Sequence, residues 1–213
     1  MDIEPFEWSV VIIGFWNPAI LTPAGISQRL FQLDKNTPVH VEVPLDGVGP
    51  YRVKHDGLIV ISQPNNLQII AESAEYESLS KATSLAKRAL EQLPETPVMA
   101  GGINIRYRIS NPPDALIEII SCEIDNFVSD EGFKIKNRSL MRSLEWNEGT
   151  LNIEISYEED GISTVLFNFD RKSNIISDLI NWMNIPVESM KKDVDKIIND
   201  VLKITISSEN NDE

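Results

Sequence analysis

The chain has two histidines, His40 and His55, and imidazole is the side chain most used for proton transfer and metal binding, so such chemistry would start with them. His40 lies two residues before Glu42, in a stretch where Val39, Val41 and Val43 alternate with polar residues. A histidine and a carboxylate at i and i+2 share one face of a strand, as an acid–base or metal pair requires. The third member that a zinc centre or a catalytic triad needs is missing beside them, and a solvated strand face accounts for the pair. His55 adjoins Asp56-Gly57, where turn chemistry accounts for it.

The carboxylates are more numerous and unevenly placed. Six fall between Pro113 and Glu131 and seven more between Ser143 and Asp170, with no Lys or Arg in either stretch. The offsets of a calcium-binding loop are absent, so no metal or other cofactor is expected. The functional reading is an electrostatic surface that meets a basic protein partner, with Glu154, Glu158 and Asp160 as contact residues; the plain alternative is a solvated acidic face. Asp170-Arg171-Lys172 follows the apolar run Val165–Phe169. A carboxylate-x-lysine triplet at a strand end resembles the metal-dependent nuclease pattern, in which acids hold Mg²⁺ and the lysine orients water. A metal-dependent hydrolase or nuclease using Asp170 and Lys172 is therefore the competing reading.

Phe15-Trp16-Asn17-Pro18-Ala19-Ile20-Leu21 is an unusually apolar strand-to-helix loop. Trp16 could anchor a protein partner there, or the loop could fold down over the core. Trp146 and Trp182 are expected to cap the core or the junction between its parts. Gly14 is followed by Phe-Trp-Asn-Pro, and Gly101-Gly102 precedes a strand rather than a helix, so neither makes a phosphate loop; no G-x-S-x-G occurs.

Composition limits the partners. A net charge of −14 disfavours direct contact with nucleic acid or an anionic membrane. Cys122 is the only cysteine, which excludes an intramolecular disulfide and a Cys-based zinc site. The longest apolar runs fall well short of the roughly 20 residues of a spanning helix, and the N-terminus carries acids where a signal peptide has lysines. A cytoplasmic protein is expected.

Hydrophobic spacing then supplies the elements. Val10–Ile13 is a β-branched run that reads as a buried strand. Thr22-Pro23 starts a helix expected to reach about Asp34. Strands follow at Pro38–Val43, Tyr51–Lys54, Gly57–Ser62 and Leu67–Ala71, with Asp56-Gly57 as a hairpin turn. Leu79 to Leu93 is an amphipathic helix stopped by Pro94. Ile103–Ile109 alternates as a strand, Asp114–Val128 reads as one helix, and Phe133–Trp146 as an extended stretch bent near Asn137–Ser139. Leu151–Tyr157 and Val165–Phe169 form a hairpin around Asp160-Gly161, and a helix follows Pro186.

Side by side, the two halves read alike: strand, helix, three strands in hairpin order, helix. The expected fold is α+β, two similar β-α-β-β-β-α halves (1–97 and 98–206) sharing an antiparallel-rich sheet with helices packed on one face, and a disordered acidic tail over 207–213.

The turn Asp56-Gly57 with Leu58–Ile61, the helix Glu77–Leu93 and the strand Gly102–Ile109 carry a resemblance. Their order resembles a sporadically distributed family of uncharacterised bacterial proteins with an Arg-Tyr pair on a central strand after an amphipathic helix, here Arg106-Tyr107. That resemblance implies no catalytic residues and no cofactor. The doubled order is also similar to sliding-clamp domains, whose DNA-facing helices are basic; the acidic Asp114–Val128 stretch excludes that. The expectation is a non-enzymatic binding or adaptor protein, such as an inhibitor, immunity or defence-system component, with a homodimer as a further option. A small-molecule sensor with a site between the halves is a third reading.

Overall fold

The computed structural model describes residues 2–45 and 49–204; the expected tail at 207–213 lies outside the described residues. In chain order the elements are β1 (Asp2–Pro5), β2 (Ser9–Gly14), α1 (Pro23–Gly25) running into a π-helical segment at Ile26–Leu30, β3 (His40–Glu42), β4 (Arg52–His55), β5 (Leu58–Gln63) and β6 (Asn66–Ala71). Then come α2 (Tyr76–Gln92), β7 (Val98–Ser110), α3 (Asp114–Ile120), α4 (Glu123–Asp130), β8 (Asn137–Trp146), β9 (Gly149–Glu158) and β10 (Ile162–Lys172). The last are α5 (Ile176–Met183) and α6 (Val187–Lys196), which continues π-helically over Ile197–Val201.

One ten-stranded sheet runs in the order β3-β4-β5-β6-β2-β7-β10-β9-β8, with β1 also on β7, and all its described pairings are antiparallel. β2 and β7 form its centre. From β2 the chain leaves through α1, re-enters at one edge as β3, and returns strand by strand to β6, which pairs with β2. From β7 it leaves through α3 and α4, re-enters at the opposite edge as β8, and returns to β10, which pairs with β7. The α+β class is as expected, but the first return takes four strands and the second three.

Alternation decides which face is covered. Val10 and Ile12, Leu67 and Ile69, Ile103, Ile105, Tyr107 and Ile109, and Val165, Phe167 and Phe169 point one way and are buried. α2 lies on that face, burying Leu79, Ala82, Leu85, Ala86, Ala89 and Leu90 at helical spacing. Each leucine so buried contributes about 1.5–3 kcal/mol. α5 packs on β7, and its Trp182 and Met183 press against the sheet at two glycines. A Cβ on Gly149 would stand 2.6 Å from Trp182 Cη2, and one on Gly101 2.7 Å from Met183 Cε. Trp182 meets Trp146 edge-on at 5.3 Å, Trp146 meets Phe169 at 4.6 Å, and Trp146 Nε1 donates to Asp193 of α6 at 2.7 Å. These tryptophans therefore sit within and beside the core of the β7–β10 side.

Three local expectations change. Thr22 does cap α1, its Oγ1 accepting from Gly25 N–H at 3.1 Å, but the helix becomes π-helical and ends at Leu30, before Gln32 at φ 56°. The single helix expected over Asp114–Val128 breaks at Ser121 and Cys122, both extended. α5 forms where no helix was expected.

Candidate binding surface

β8 is an edge strand ten residues long, paired on one side only, to β9. Its companion α4 buries no residue. Phe127 on α4 is 65 % exposed and Phe133, in the loop after it, 71 %; Ile124, Met141 and Leu144 are exposed too. α4 and the turn after it also carry Glu123, Asp130 and Glu131, with no ion pair among the described residues, while Met141 lies on the face of β8 away from the helices and Leu144 on the face toward them. The break at Cys122 has a consequence for position. It turns α4 so that Asp125 reaches Arg138 of β8 at 2.5 Å, and the guanidinium holds the Asp125 carboxyl below its ordinary value. Lys134 pairs with Glu159 in the β9–β10 turn. Two cross-links thus hold α4, β8 and that turn as one flank.

The proposed contact acids lie on β9 and in its turn toward β10, Glu154 on the sheet face away from α4. Glu154 is on the uncovered face of β9, opposite Met141 of β8 and Leu166 of β10. Glu158 ends β9 opposite Asn137, and Asp160 turns the hairpin, its Oδ1 accepting from Ile162 N–H at 3.0 Å. Trp16 is elsewhere and cannot be the exposed anchor: it is 2 % exposed, and its Nε1 donates to Ile12 O at 3.1 Å. The loop has folded onto the core, and Phe15 is its exposed aromatic. Glu42 is taken by Lys54 at 2.6 Å and Arg52 at 3.2 Å rather than by His40. The Arg-Tyr pair splits across the sheet. Arg106 faces outward to Glu7 at 3.2 Å, while Tyr107 is buried against Trp8 and hydrogen-bonded to Tyr76 at 3.3 Å. Burial pushes the Tyr107 phenol up to about 12 and that of Tyr76 further still.

The uncovered face carries a feature that no sequence motif announces. One cross-strand row reads Ser143, Asn152, Asn168, Asn104, Ser9 over β8, β9, β10, β7 and β2. Ser143 Oγ donates to Asn152 (2.7 Å), Asn152 Nδ2 to Asn168 (3.0 Å), Asn168 Nδ2 to Asn104 (2.8 Å) and Asn104 Nδ2 to Ser9 Oγ (3.3 Å). Such a chain fixes register across five strands, because a one-residue slip would send each amide to the apolar face. In the next row Asp170 lies opposite Gly102. Burial raises the Asp170 carboxyl, and Lys172 partly opposes that. Both line a cavity of about 380 Å³ with Ser143, Thr150, Asn152 and Glu148. Among the described residues no three of His, Cys, Asp and Glu come together as a metal-holding group.

Each of the five cavities described draws its lining from one side of residue 98. No helix among the described residues is long and apolar enough to cross a membrane. Comparison with protein-family models, with curated proteins and with solved structures found no match.

Proposed function

We propose that the chain is a non-enzymatic binding or adaptor protein, acting in the cytoplasm, whose β8–α4 flank takes a basic protein segment with apolar side chains. An inhibitor, immunity or defence-system role fits this reading. The observation that carries it is the exposure of Ile124, Phe127 and Phe133 beside Glu123, Asp130 and Glu131, acids that have no ion pair among the described residues. Apolar side chains grouped in this way mark interaction sites, and the acids select the sign of the partner.

A pair of defined peptides tests it: an amphipathic helix of Lys and Leu, and its Glu-for-Lys counterpart. The Lys peptide should bind and the Glu peptide should not. Reversing Glu154, Glu158 and Asp160 to Lys removes three rim contacts, each worth about 0.2–1 kcal/mol, so affinity should fall by roughly threefold to a hundredfold. Reversing Glu75, Glu77 and Glu95, away from the flank, changes net charge equally and should cost far less. Equal losses from both triples would leave only net charge and defeat the reading.

Asp170 favours a second reading, the metal-dependent hydrolase, because a half-buried carboxyl beside Lys172 in a cavity is a common site for chemistry. A divalent ion that binds only the folded protein raises its melting temperature. Mg²⁺ or Mn²⁺ should then stabilise the protein but not Asp170→Asn; no shift with either ion ends this reading.

A further inference from the structure

In a chain of net charge −14, one of the five described cavities has a cationic lining. It measures about 280 Å³ and lies between α2, the β4–β5 turn and the end of the π-helical segment, lined by Phe31, His55, Asp56, Leu58, Ser80, Lys81, Ser84, Leu85 and Arg88. Lys81, Arg88 and the His55 imidazole oppose a single carboxylate in that lining, Asp56. The other four cavities hold no net positive charge among their lining side chains.

The fold brings these groups together for local reasons. On α2, Lys81, Ser84 and Arg88 follow at i, i+3 and i+7, and Ser80 and Ser84 at i and i+4, so all four share one stripe. The hairpin turn is tight because Asp56 and Gly57 both adopt left-handed backbone, φ 50° and 71°. That sets His55 and Asp56 opposite the stripe. The Phe31 ring meets His55 edge-on at 5.2 Å and steadies it. Arg88 Nη1 donates to Leu30 O at 2.7 Å, which fixes the guanidinium in the wall, and this is its one hydrogen bond among the described residues. Lys81 Nζ stands 3.9 Å from Asp56 and 3.9 Å from Glu77, both loose contacts on exposed side chains. Its ammonium is free to swing toward a better acceptor.

Guanidinium, ammonium, imidazole and two hydroxyls form a set of donors that suits an oxyanion with several acceptor oxygens. Phe31, Leu58 and Leu85 add an apolar wall. The volume takes a small group rather than a macromolecule. We propose that this cavity binds the phosphoryl group of a small molecule, with Arg88, Lys81, Ser80, Ser84 and His55 as donors. This is independent of the basic partner proposed for the β8–α4 flank, and either can fail alone.

The chain has two histidines, and only His55 lines the cavity, so His40 on β3 is an internal control. Imidazole NMR signals are followed at fixed pH and ionic strength while inorganic phosphate, phenyl phosphate or chloride is added. The His55 signals should move saturably with the phosphates while those of His40 stay still. Tighter binding of phenyl phosphate than of inorganic phosphate identifies a phosphomonoester site, and equal binding identifies a site for free phosphate. Arg88 also holds Leu30 O, so Lys81→Gln is the cleaner variant; it should weaken binding about tenfold, the cost of one charge-assisted contact, with an unchanged melting curve. Stationary His55 signals, parallel movement of both histidines, or unchanged binding by Lys81→Gln would overturn the proposal.

Discussion

The two edges of the sheet are built differently. β3 is three residues long and lies between Pro38 and Pro44. Its Glu42 is held by Lys54 and Arg52, and Lys54 also reaches Glu72 at 3.6 Å. Short length, nearby prolines and satisfied charge are how sheet edges are made unreceptive. β8 has ten residues and no proline, and beside it lie α4, which buries nothing, and Glu123, Asp130 and Glu131, which have no ion pair among the described residues. Both edges join the same core, so the difference does not lie in the scaffold. One edge is finished by its own chain, and on our reading the other is left for a partner to complete.

The contrast is sharpest between the centre and the open flank. Phe167 on β10 is fully buried and Phe127 on α4 mostly exposed. Phe167→Ala should cost about 3–5 kcal/mol in urea denaturation through lost burial and a cavity. Phe127→Ala should stay within about 0.5 kcal/mol and yet weaken binding of the Lys–Leu peptide. A large stability loss at Phe127 would make α4 part of the core and break the contrast.

Next in size is Gly149→Ala. The new Cβ would stand 2.4 Å from Asp170 O and 2.6 Å from the Trp182 ring. Overpacking of this kind costs about 1–3 kcal/mol, to be read as a lower denaturation midpoint. An unaffected midpoint would mean that α5 moves off the sheet easily.

The smallest effects separate two carboxyls by sign. Glu42 is held below its ordinary value by the Lys54 hydrogen bond, so it stabilises the fold above pH 4.5 and that contribution is lost as pH falls through the lowered value. Asp170 is raised by burial, so the folded chain keeps that proton to higher pH than the unfolded chain does, and stability declines as pH rises from 3.8 through the raised value. Glu42→Gln should therefore be less stable than the parent at pH 7, and Asp170→Asn more stable. Both differences should shrink toward acid pH. A loss of stability in Asp170→Asn would show that its carboxylate has a partner at neutral pH.

Periodicity in single segments made much of the fold legible. The alternation at Ile103–Ile109, the apolar stripe from Leu79 and the Asp56-Gly57 turn mark β7, α2 and the β4–β5 hairpin where they occur. α5 also carried a signal, with Ile176, Leu179, Ile180 and Met183 at helical spacing, masked by the polar Ser-Asn-rich sequence around them. The α3–α4 break is harder to read, because nothing but Ser121 interrupts a helical pattern; that Oγ donates to Ile117 O and offers the backbone an alternative to continuing. The site was the least legible part. Asn104, Asn152 and Asn168 each look like one polar residue on a strand's outer face, and only register aligns them. His55 reads as a turn residue until α2 is packed above it. Trp16 had two placements open, an exposed anchor or a loop folded over the core, and the loop is apolar enough to take the second.

Amide hydrogen exchange, with and without the Lys–Leu peptide, tests the contrast between the edges most directly. A partner that completes the open edge should protect Glu123–Trp146 and leave His40–His55 unchanged. Equal protection at both edges, or none at Glu123–Trp146 when the peptide is bound, would contradict it.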